Sequence, residues 1–369
     1  MPGGLEAWRP GGCDTRLVPD AATHPDVATH DVALADVQAA ATRIAGRVPT
    51  TPMLSSRAAA RVVERQHGVR LGPGPADDGQ ARLFLKAEHL QLTGSFKPRG
   101  ALNRVMQLDE DERQRGIVTL SAGNHAQAVA WAAASYGVPV TVVMPLGASQ
   151  AKVAATEGYG ATVILYGEHV GDTFTEMERL RDERGLVYLP PFDDPDVIAG
   201  QGMVGLEIVE QLPAVDVVVV GVGGGGLISG ISSAVRRLRP EARVYGVEPE
   251  RSNAVGLALA AGKVVPLAPV SIADGLGAPF AGAWTLDIVR RLVTEVIAVD
   301  EPTIARGVIF ALERCKQLLE PAGAAALGAV LAGRIPLNDG ETVCVVASGG
   351  NVDLARLDEI RGLAALAEV

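Results

Sequence analysis

Cysteine is scarce in this sequence, because its 369 residues contain only Cys13, Cys315 and Cys344, far apart along the chain. That spacing provides neither a thiolate metal site nor a disulfide framework, and it is typical of the reducing cytoplasm. The sequence has no apolar run long enough to cross a membrane. Residues 1–4 lack the basic and apolar regions of an export signal, so we expect a cytoplasmic protein.

Lysine is also rare. Any reaction that needs a lysine amine has five candidates, Lys86, Lys97, Lys152, Lys263 and Lys316. The formal net charge is −10, which disfavours a nucleic-acid or anionic-membrane surface and leaves a small molecule as the expected partner. Apolar residues make up 48% of the chain, enough for one large domain or two that pack closely.

The order of apolar segments indicates an α/β protein. Residues 1–30 are rich in Pro, Gly, Ala and Asp without periodicity, which predicts a mobile leader, and helical patterns follow at about 32–46 and 54–67. Short apolar runs then alternate with alanine-rich helical stretches, which predicts parallel sheets covered by helices, with ligands beyond the carboxyl ends of the strands. The predicted strands are 83–85, 117–120, 138–144, 162–165, 215–220, 243–247, 293–299 and 342–346.

The segment 93–100, Thr-Gly-Ser-Phe-Lys-Pro-Arg-Gly, places one lysine at the predicted start of a helix. Ser95 occupies an N-cap position, and Pro98 suits the first helical turn. A lysine nucleophile needs a fixed position and a lowered pKa, and a helix start beside a glycine offers both to Lys97. The same spacing also fits an ordinary surface lysine.

Two other loops follow predicted strands. Residues 121–125, Ser-Ala-Gly-Asn-His, open a helix whose free N–H groups attract an anion such as a substrate carboxylate. Residues 347–351, Ala-Ser-Gly-Gly-Asn, follow the last strand, where the Ser348 hydroxyl is placed to hydrogen-bond a heterocyclic nitrogen. Taken singly, each loop also fits a plain turn or helix cap.

A glycine-rich loop spans residues 221–227, Gly-Val-Gly-Gly-Gly-Gly-Leu, after a valine-rich strand. Consecutive glycines let the backbone wrap around a phosphate at the start of a helix. The loop also satisfies G-x-G-x-x-G, with Glu248 about 20 residues later, a spacing typical of dinucleotide sites. The loop alone therefore leaves a single phosphate and a nicotinamide dinucleotide both open.

Four motifs occur in one order: Gly-Ser-Phe-Lys-x-Arg-Gly-Ala, Ser-Ala-Gly-Asn-His-Ala-Gln, the tetraglycine loop and Ser-Gly-Gly-Asn. Together they resemble the threonine dehydratase and serine racemase family, pyridoxal-phosphate enzymes of the tryptophan-synthase-β fold type, over about residues 32–360. The resemblance implies an α/β fold of type II, with two open, mostly parallel sheets and helices on both faces. It also implies a large cofactor-binding domain (31–110 and 196–369), a small domain (111–195) and a homo-oligomer.

The resemblance assigns cofactor roles to the motif residues. Lys97 would hold pyridoxal 5′-phosphate as a Schiff base and act as general base and acid. Phe96 would lie beside the ring, Asn124 would donate to the 3′-oxygen, and Ser348 would face the pyridine nitrogen. The phosphate would lie against Gly223, Gly224, Gly225, Gly226 and Leu227.

Substrate roles are implied in the same way. Asp274 and Gly275 would lie near the substrate side chain. Some family members bind a divalent cation near the position of Glu248 with a later aspartate, but residues 252–254, Ser-Asn-Ala, supply no such carboxylate, so no metal is predicted. The substrate carboxylate would be held by Ser121, Ala122, Gly123, Asn124 and His125.

The implied reaction is β-elimination, in which L-threonine, L-serine or a related β-hydroxy amino acid gives a 2-oxo acid and ammonia. A neutral Ser348 makes the ring a weaker electron sink than a carboxylate partner would, which favours prompt elimination. Racemisation needs a second proton-transfer group opposite Lys97, and similar racemases carry serine where this chain has Ala122. We therefore predict a dehydratase, or ammonia-lyase, with little racemisation.

Several alternatives stay open on the sequence. A serine racemase or a β-replacement enzyme would use the same fold type, although the contexts of Lys97 and Asn124 look less like the β-replacement branch. A nicotinamide oxidoreductase would use the glycine-rich loop and Glu248. A non-enzymatic ligand sensor would have little need for the intact lysine, asparagine and glycines.

Overall fold

The computed structural model describes residues 30–76, 78–168 and 170–367. The predicted mobile leader lies outside these residues, apart from residue 30. Within the described ranges, no helix is long and apolar enough to cross a membrane. The strands of these ranges are β1 (Met53–Ser56), β2 (Leu83–Lys86), β3 (Ile117–Leu120), β4 (Val140–Met144), β5 (Thr162–Leu165), β6 (Val187–Tyr188), β7 (Val217–Gly221), β8 (Arg243–Pro249), β9 (Glu295–Val299) and β10 (Val343–Val346).

The strands form two sheets. The large sheet has the order β1-β2-β10-β7-β8-β9, and the small sheet has the order β5-β4-β3-β6. Only the β1–β2 pairing is antiparallel among the described strands. The predicted class, α/β with two open and mostly parallel sheets, is therefore confirmed, whereas the domain limits at 110/111 and 195/196 stay a prediction.

Helices connect the strands and cover the sheets. Alternate side chains of β7 point to opposite faces: Val217 and Val219 lie in one apolar layer, and Val218 and Val220 lie in the other. The described helices are α1 (Leu34–Ile44), α2 (Arg57–His67), α3 (Pro98–Met106), α4 (Glu110–Arg115), α5 (Asn124–Ala134), α6 (Gln150–Gly158), α7 (Val170–Arg184), α8 (Pro195–Gln211), α9 (Gly226–Leu238), α10 (Ala254–Ala261), α11 (Ala283–Leu292), α12 (Glu301–Phe310), α13 (Pro321–Leu331) and α14 (Leu357–Ala364). The first layer of β7 packs on α12 and α13, and the second on α8 and α9.

The second predicted helix, at about residues 54–67, is wrong at its start. Residues 53–56 form the edge strand β1, which obtains its hydrogen bonds by antiparallel pairing with β2. Ser56 then caps α2, because its hydroxyl accepts a hydrogen bond of 3.1 Å from the Ala59 N–H. A four-residue strand next to a helix gives no periodic signal of its own, so the pairing with β2 decides its structure.

Candidate active site

A cavity of about 640 Å³ lies between the two sheets, beyond the carboxyl ends of their strands. Its walls come from loops that follow β3, β6, β7 and β10 and from the segment that precedes α3. All the residues proposed from the sequence line this one cavity, although their individual roles stay predictions. They are Phe96, Lys97, Ser121, Ala122, Gly123, Asn124, His125, Gly223, Gly224, Gly225, Gly226, Leu227, Asp274, Gly275 and Ser348.

Lys97 directs its amine into the cavity. Its Nζ donates a hydrogen bond of 2.7 Å to the Pro191 carbonyl, and it lies 5.2 Å from the centre of the Phe96 ring. Enclosure by the protein disfavours the charged amine and lowers the pKa of Lys97 to about 8. The neutral, nucleophilic fraction of this amine near neutral pH is therefore much larger than that of a lysine in water.

The backbone around Lys97 differs from the predicted helix cap. Lys97 itself is the N-cap residue of α3, with Pro98 in the first turn, whereas Ser95 is extended and forms an isolated bridge with Gly349. The Phe96 N–H donates to the Ser348 carbonyl at 3.1 Å. The expectation that Ser95 caps the helix is wrong, because pairing with the loop after β10 holds it. This pairing brings Lys97 and Ser348 to one side of the cavity.

The glycine-rich loop joins β7 to the N-terminus of α9. Gly225 has a φ of +95°, in the left-handed region that favours glycine. A Cβ atom on Gly224 would overlap the Phe192 ring, so any other residue there would have to displace that ring. The Thr285 hydroxyl holds the loop by donating to the Gly224 carbonyl at 2.7 Å. The result is a cradle of backbone amides at a helix start, suited to a phosphate.

The loop at 121–125 opens α5 on the small-sheet side. The Ser121 hydroxyl accepts a hydrogen bond of 3.1 Å from the Gly123 N–H. The His125 ring is buried, with its Nε2 3.0 Å from the Thr119 hydroxyl oxygen. Burial, assisted by nearby Lys97, lowers the pKa of His125 to about 3, so the ring is neutral. Because the ring is neutral and engaged by Thr119, the carboxylate-binding role predicted for His125 would fall to its backbone N–H.

Sequence reasoning missed two side chains that fix Asn124. The Asn124 Nδ2 donates to Glu320 Oε1 at 2.6 Å, and the Asn351 Nδ2 donates to Asn124 Oδ1 at 2.7 Å. Burial raises the pKa of Glu320 to about 7. Asn351 ends the Ser-Gly-Gly-Asn motif and Glu320 stands in a Leu-Glu-Pro segment at 319–321, but only the fold brings them to Asn124.

Another missed side chain, Lys152, lies at the mouth of the cavity. Its Nζ is 2.5 Å from Asp274 Oδ2, and both side chains reach solvent. Lys152 comes from α6, next to the small sheet, and Asp274 comes from a turn between β8 and β9 of the large sheet. The ion pair therefore joins the two sides of the mouth.

The dinucleotide interpretation of the glycine-rich loop lacks its acidic partner. Glu248 is buried in the large sheet and accepts the Val255 and Gly256 N–H groups at 2.9 Å each. Its carboxylate is not among the groups that line the cavity. A lysine amine, an amide cradle and the neutral Ser348 hydroxyl instead fit a cofactor that carries an aldehyde, one phosphate and a ring nitrogen.

Comparisons with known proteins agree with this fit. The L-threonine ammonia-lyase of Thermotoga maritima is 45% identical over 279 residues, which cover 75% of this chain and 69% of the relative. The catabolic L-threonine dehydratase of Escherichia coli is 40% identical over 334 residues, which cover 90% and 96%. Among solved structures, maize serine racemase has a TM-score of 0.80 and 35% identity, with 90% of this chain and 97% of that chain covered.

The family model described as pyridoxal-phosphate dependent enzyme matches residues 69–349. This range includes Lys97, the loop at 121–125, the glycine-rich loop and Ser348. It covers about three quarters of the chain, and the match to the Escherichia coli relative covers 90% of it. The chain therefore belongs to the pyridoxal-phosphate dependent enzymes.

Proposed function

We propose that this protein is a lyase that converts L-threonine, L-serine or a related β-hydroxy amino acid to a 2-oxo acid and ammonia. The observation that carries the proposal is the identity of 40–45% with an L-threonine dehydratase and an L-threonine ammonia-lyase. The cavity agrees with it, because the lysine, the asparagine, the glycine cradle and the serine all line it.

Lys97 is the proposed attachment point and proton carrier. Pyridoxal phosphate, when bound, supplies the aldehyde that captures the substrate amine and the ring that spreads negative charge from Cα. With its pKa lowered to about 8, the Lys97 amine is well matched to remove and return a proton near neutral pH. Its contact with the Pro191 carbonyl gives it a fixed starting position.

Other residues of the wall hold the proposed ligands in place. The amides of Gly223 to Gly226 and of Leu227, at the start of α9, would bind the phosphate. The Asn124 amide would bind the 3′-oxygen, and the Ser348 hydroxyl would meet the ring nitrogen without supplying a negative charge. The loop at 121–125 would bind the substrate carboxylate through Ser121 and the N-terminus of α5.

A serine racemase is the second candidate, favoured by the similarity to maize serine racemase. Ala122 opposes it: this residue lies on the cavity wall and has a methyl group that cannot transfer a proton. A substrate Cα would then meet a proton carrier on the Lys97 side alone, and loss of the β-hydroxyl would prevail over inversion.

The decisive experiment combines two assays on the purified protein. The release of 2-oxo acid is measured with serine, threonine and other β-hydroxy amino acids, and chiral chromatography measures the interconversion of serine enantiomers. We expect 2-oxo acid release to exceed racemisation by about 10²-fold or more, the size of a missing general acid or base. Comparable rates of the two reactions, or rapid racemisation alone, would overturn the proposal.

We further propose a cytoplasmic homo-oligomer with the domain limits predicted from the sequence. The few, widely spaced cysteines support the cytoplasm. The resemblance to the threonine dehydratase and serine racemase family supports the homo-oligomer. Sedimentation equilibrium that gives the mass of one chain would contradict the oligomer.

A further inference from the structure

Glu320 is a buried carboxyl group with one hydrogen-bond partner. It is the N-cap residue of α13, is 6% exposed, and lies on the cavity wall. In the described part of the chain, the hydrogen bond of 2.6 Å from Asn124 is its only side-chain hydrogen bond. Burying a carboxyl group with so few partners is unfavourable for folding, which points to a use in the site.

The partners of Asn124 fix the orientation of its amide. Its Nδ2 meets the acceptor Glu320, and its Oδ1 receives the Asn351 Nδ2 at 2.7 Å. The Asn351 amide is itself anchored, because it also donates to the Thr93 carbonyl at 2.7 Å. If the Asn124 amide were flipped, its Oδ1 would face the Glu320 carboxyl oxygen and its Nδ2 would face the Asn351 Nδ2, and both hydrogen bonds would be lost. The observed orientation leaves the second N–H of Asn124 free to donate to a ligand.

The surrounding backbone leaves little room for any other arrangement. A Cβ atom on Gly349 would lie 2.1 Å from Glu320 Oε1 and 3.1 Å from Asn124 Nδ2. Gly349 directly follows Ser348 and pairs with Ser95. The Glu320–Asn124 contact is therefore packed against the loop that follows β10, which pairs with the segment before Lys97.

We propose that Glu320 is a positioning residue, whose carboxyl oxygen accepts one N–H of Asn124 and thereby directs the other N–H at the cofactor's 3′-oxygen. The inference rests on the family's cofactor and is independent of which amino acid is the substrate. Protonation of Glu320 does not abolish this role, because a neutral carboxyl group keeps one acceptor oxygen. To position Asn124, the side chain of Glu320 needs an acceptor oxygen and does not need a negative charge.

The test compares two substitutions of similar size, Glu320→Gln and Glu320→Met. Glutamine keeps an acceptor oxygen for Asn124, whereas methionine fills the space without one. Apoprotein is titrated with pyridoxal phosphate in the absence of substrate, and the dissociation constant and the visible absorption maximum are measured. Glu248→Gln is the control, because Glu248 is also buried, its pKa is also raised to about 7, and it lies off the cavity wall.

We expect Glu320→Met to weaken cofactor binding about tenfold and to shift the absorption maximum, the effect of one misdirected hydrogen bond at a buried site. Glu320→Gln and Glu248→Gln should bind within about twofold of wild type. A wild-type result for Glu320→Met would overturn the proposal. Equal losses in Gln and Met would also overturn it, because the charge would then be the required property.

A double-mutant cycle separates positioning from general destabilisation. In an Asn124→Ala background the amide is gone, so Glu320→Met should weaken cofactor binding no further. The folded fraction of each variant is measured by circular dichroism before titration. An undiminished tenfold effect of Glu320→Met without Asn124 would show that Glu320 acts by another route, and the proposal would fall.

Discussion

Two lysines, Lys86 and Lys97, lie eleven positions apart, and both are enclosed by protein, yet their surroundings differ. The Lys86 side chain is 0% exposed. Its Nζ donates hydrogen bonds to Glu207 Oε2 at 2.5 Å, to the Thr51 carbonyl at 2.7 Å and to Gln211 Oε1 at 3.0 Å. The Lys97 Nζ donates to the Pro191 carbonyl alone among the described residues, and it faces a cavity.

The partners of Lys86 belong to a larger buried cluster. Arg99, two positions after Lys97, donates to Glu88 Oε2 at 2.8 Å and to Glu207 Oε1 at 2.6 Å. A buried ammonium group with three acceptors is a structural element, because its charge is fully compensated. A lysine with a single carbonyl partner and a lowered pKa is reactive. The paired cluster thus supports the helix whose N-cap is the reactive lysine.

The strongest test of this contrast replaces each lysine with methionine. In Lys97→Met we expect kcat/KM to fall roughly 10⁴-fold or more, because attachment and proton transfer are both lost. Borohydride reduction followed by peptide mass spectrometry should find the cofactor on the Lys97 peptide of wild type. Lys86→Met should retain the visible absorption band and the label on Lys97. A label on Lys86 in the wild-type protein would reverse the assignment.

The free energy of unfolding should show the opposite order, with the larger loss in Lys86→Met and the smaller loss in Lys97→Met. Lys86→Met leaves the buried carboxylates of Glu88 and Glu207 with one cation, Arg99, in place of two, so we expect the free energy of unfolding to fall by about 3–5 kcal/mol. Lys97→Met removes an enclosed charge with one partner, so its unfolding free energy should fall by less than about 1 kcal/mol. Urea unfolding of both apoproteins measures the difference. Similar losses in the two variants would refute the contrast.

The sequence alone distinguishes Lys97 from Lys86 only through the motifs that surround Lys97. Lys97 stands between recognisable loops, whereas the surroundings of Lys86 come from Thr51 and Glu207, 35 and 121 positions away. Glu320 and Lys152 were missed for the same reason, since their partners lie 196 and 122 positions away. The loops that follow strands were predictable, because parallel sheets bring their carboxyl ends to one edge.

The lowered pKa of Lys97 gives a pH test in wild-type apoprotein. The protonated amine dominates below about pH 8, and the reactive neutral amine dominates above it. Acetylation of Lys97 by a small reagent should therefore rise about tenfold between pH 7 and pH 9 and then level off. Peptide mass spectrometry at each pH gives the rate. A rate that keeps rising to pH 10, as for a free lysine amine, would contradict the pKa of about 8.

The smallest effects are expected at a third lysine, Lys152, whose pair with Asp274 reaches solvent. The two side chains are 31% and 50% exposed, so the pair contributes at most about 1 kcal/mol to stability. Asp274→Asn should accordingly leave urea unfolding nearly unchanged. It frees a cation at the cavity mouth, which should favour a side-chain carboxylate.

For this variant we expect kcat/KM for 3-hydroxyaspartate, relative to threonine, to rise about two- to fivefold, and the gain to fade as salt screens Lys152. Lys152→Met in the same variant is the control and should abolish the gain. If Asp274→Asn instead lowered the unfolding free energy as much as Lys86→Met, exposure would not distinguish these ion pairs. The distinction between the buried Lys86–Glu207 pair, which stabilises the fold, and the exposed Lys152–Asp274 pair, which does not, would then be wrong.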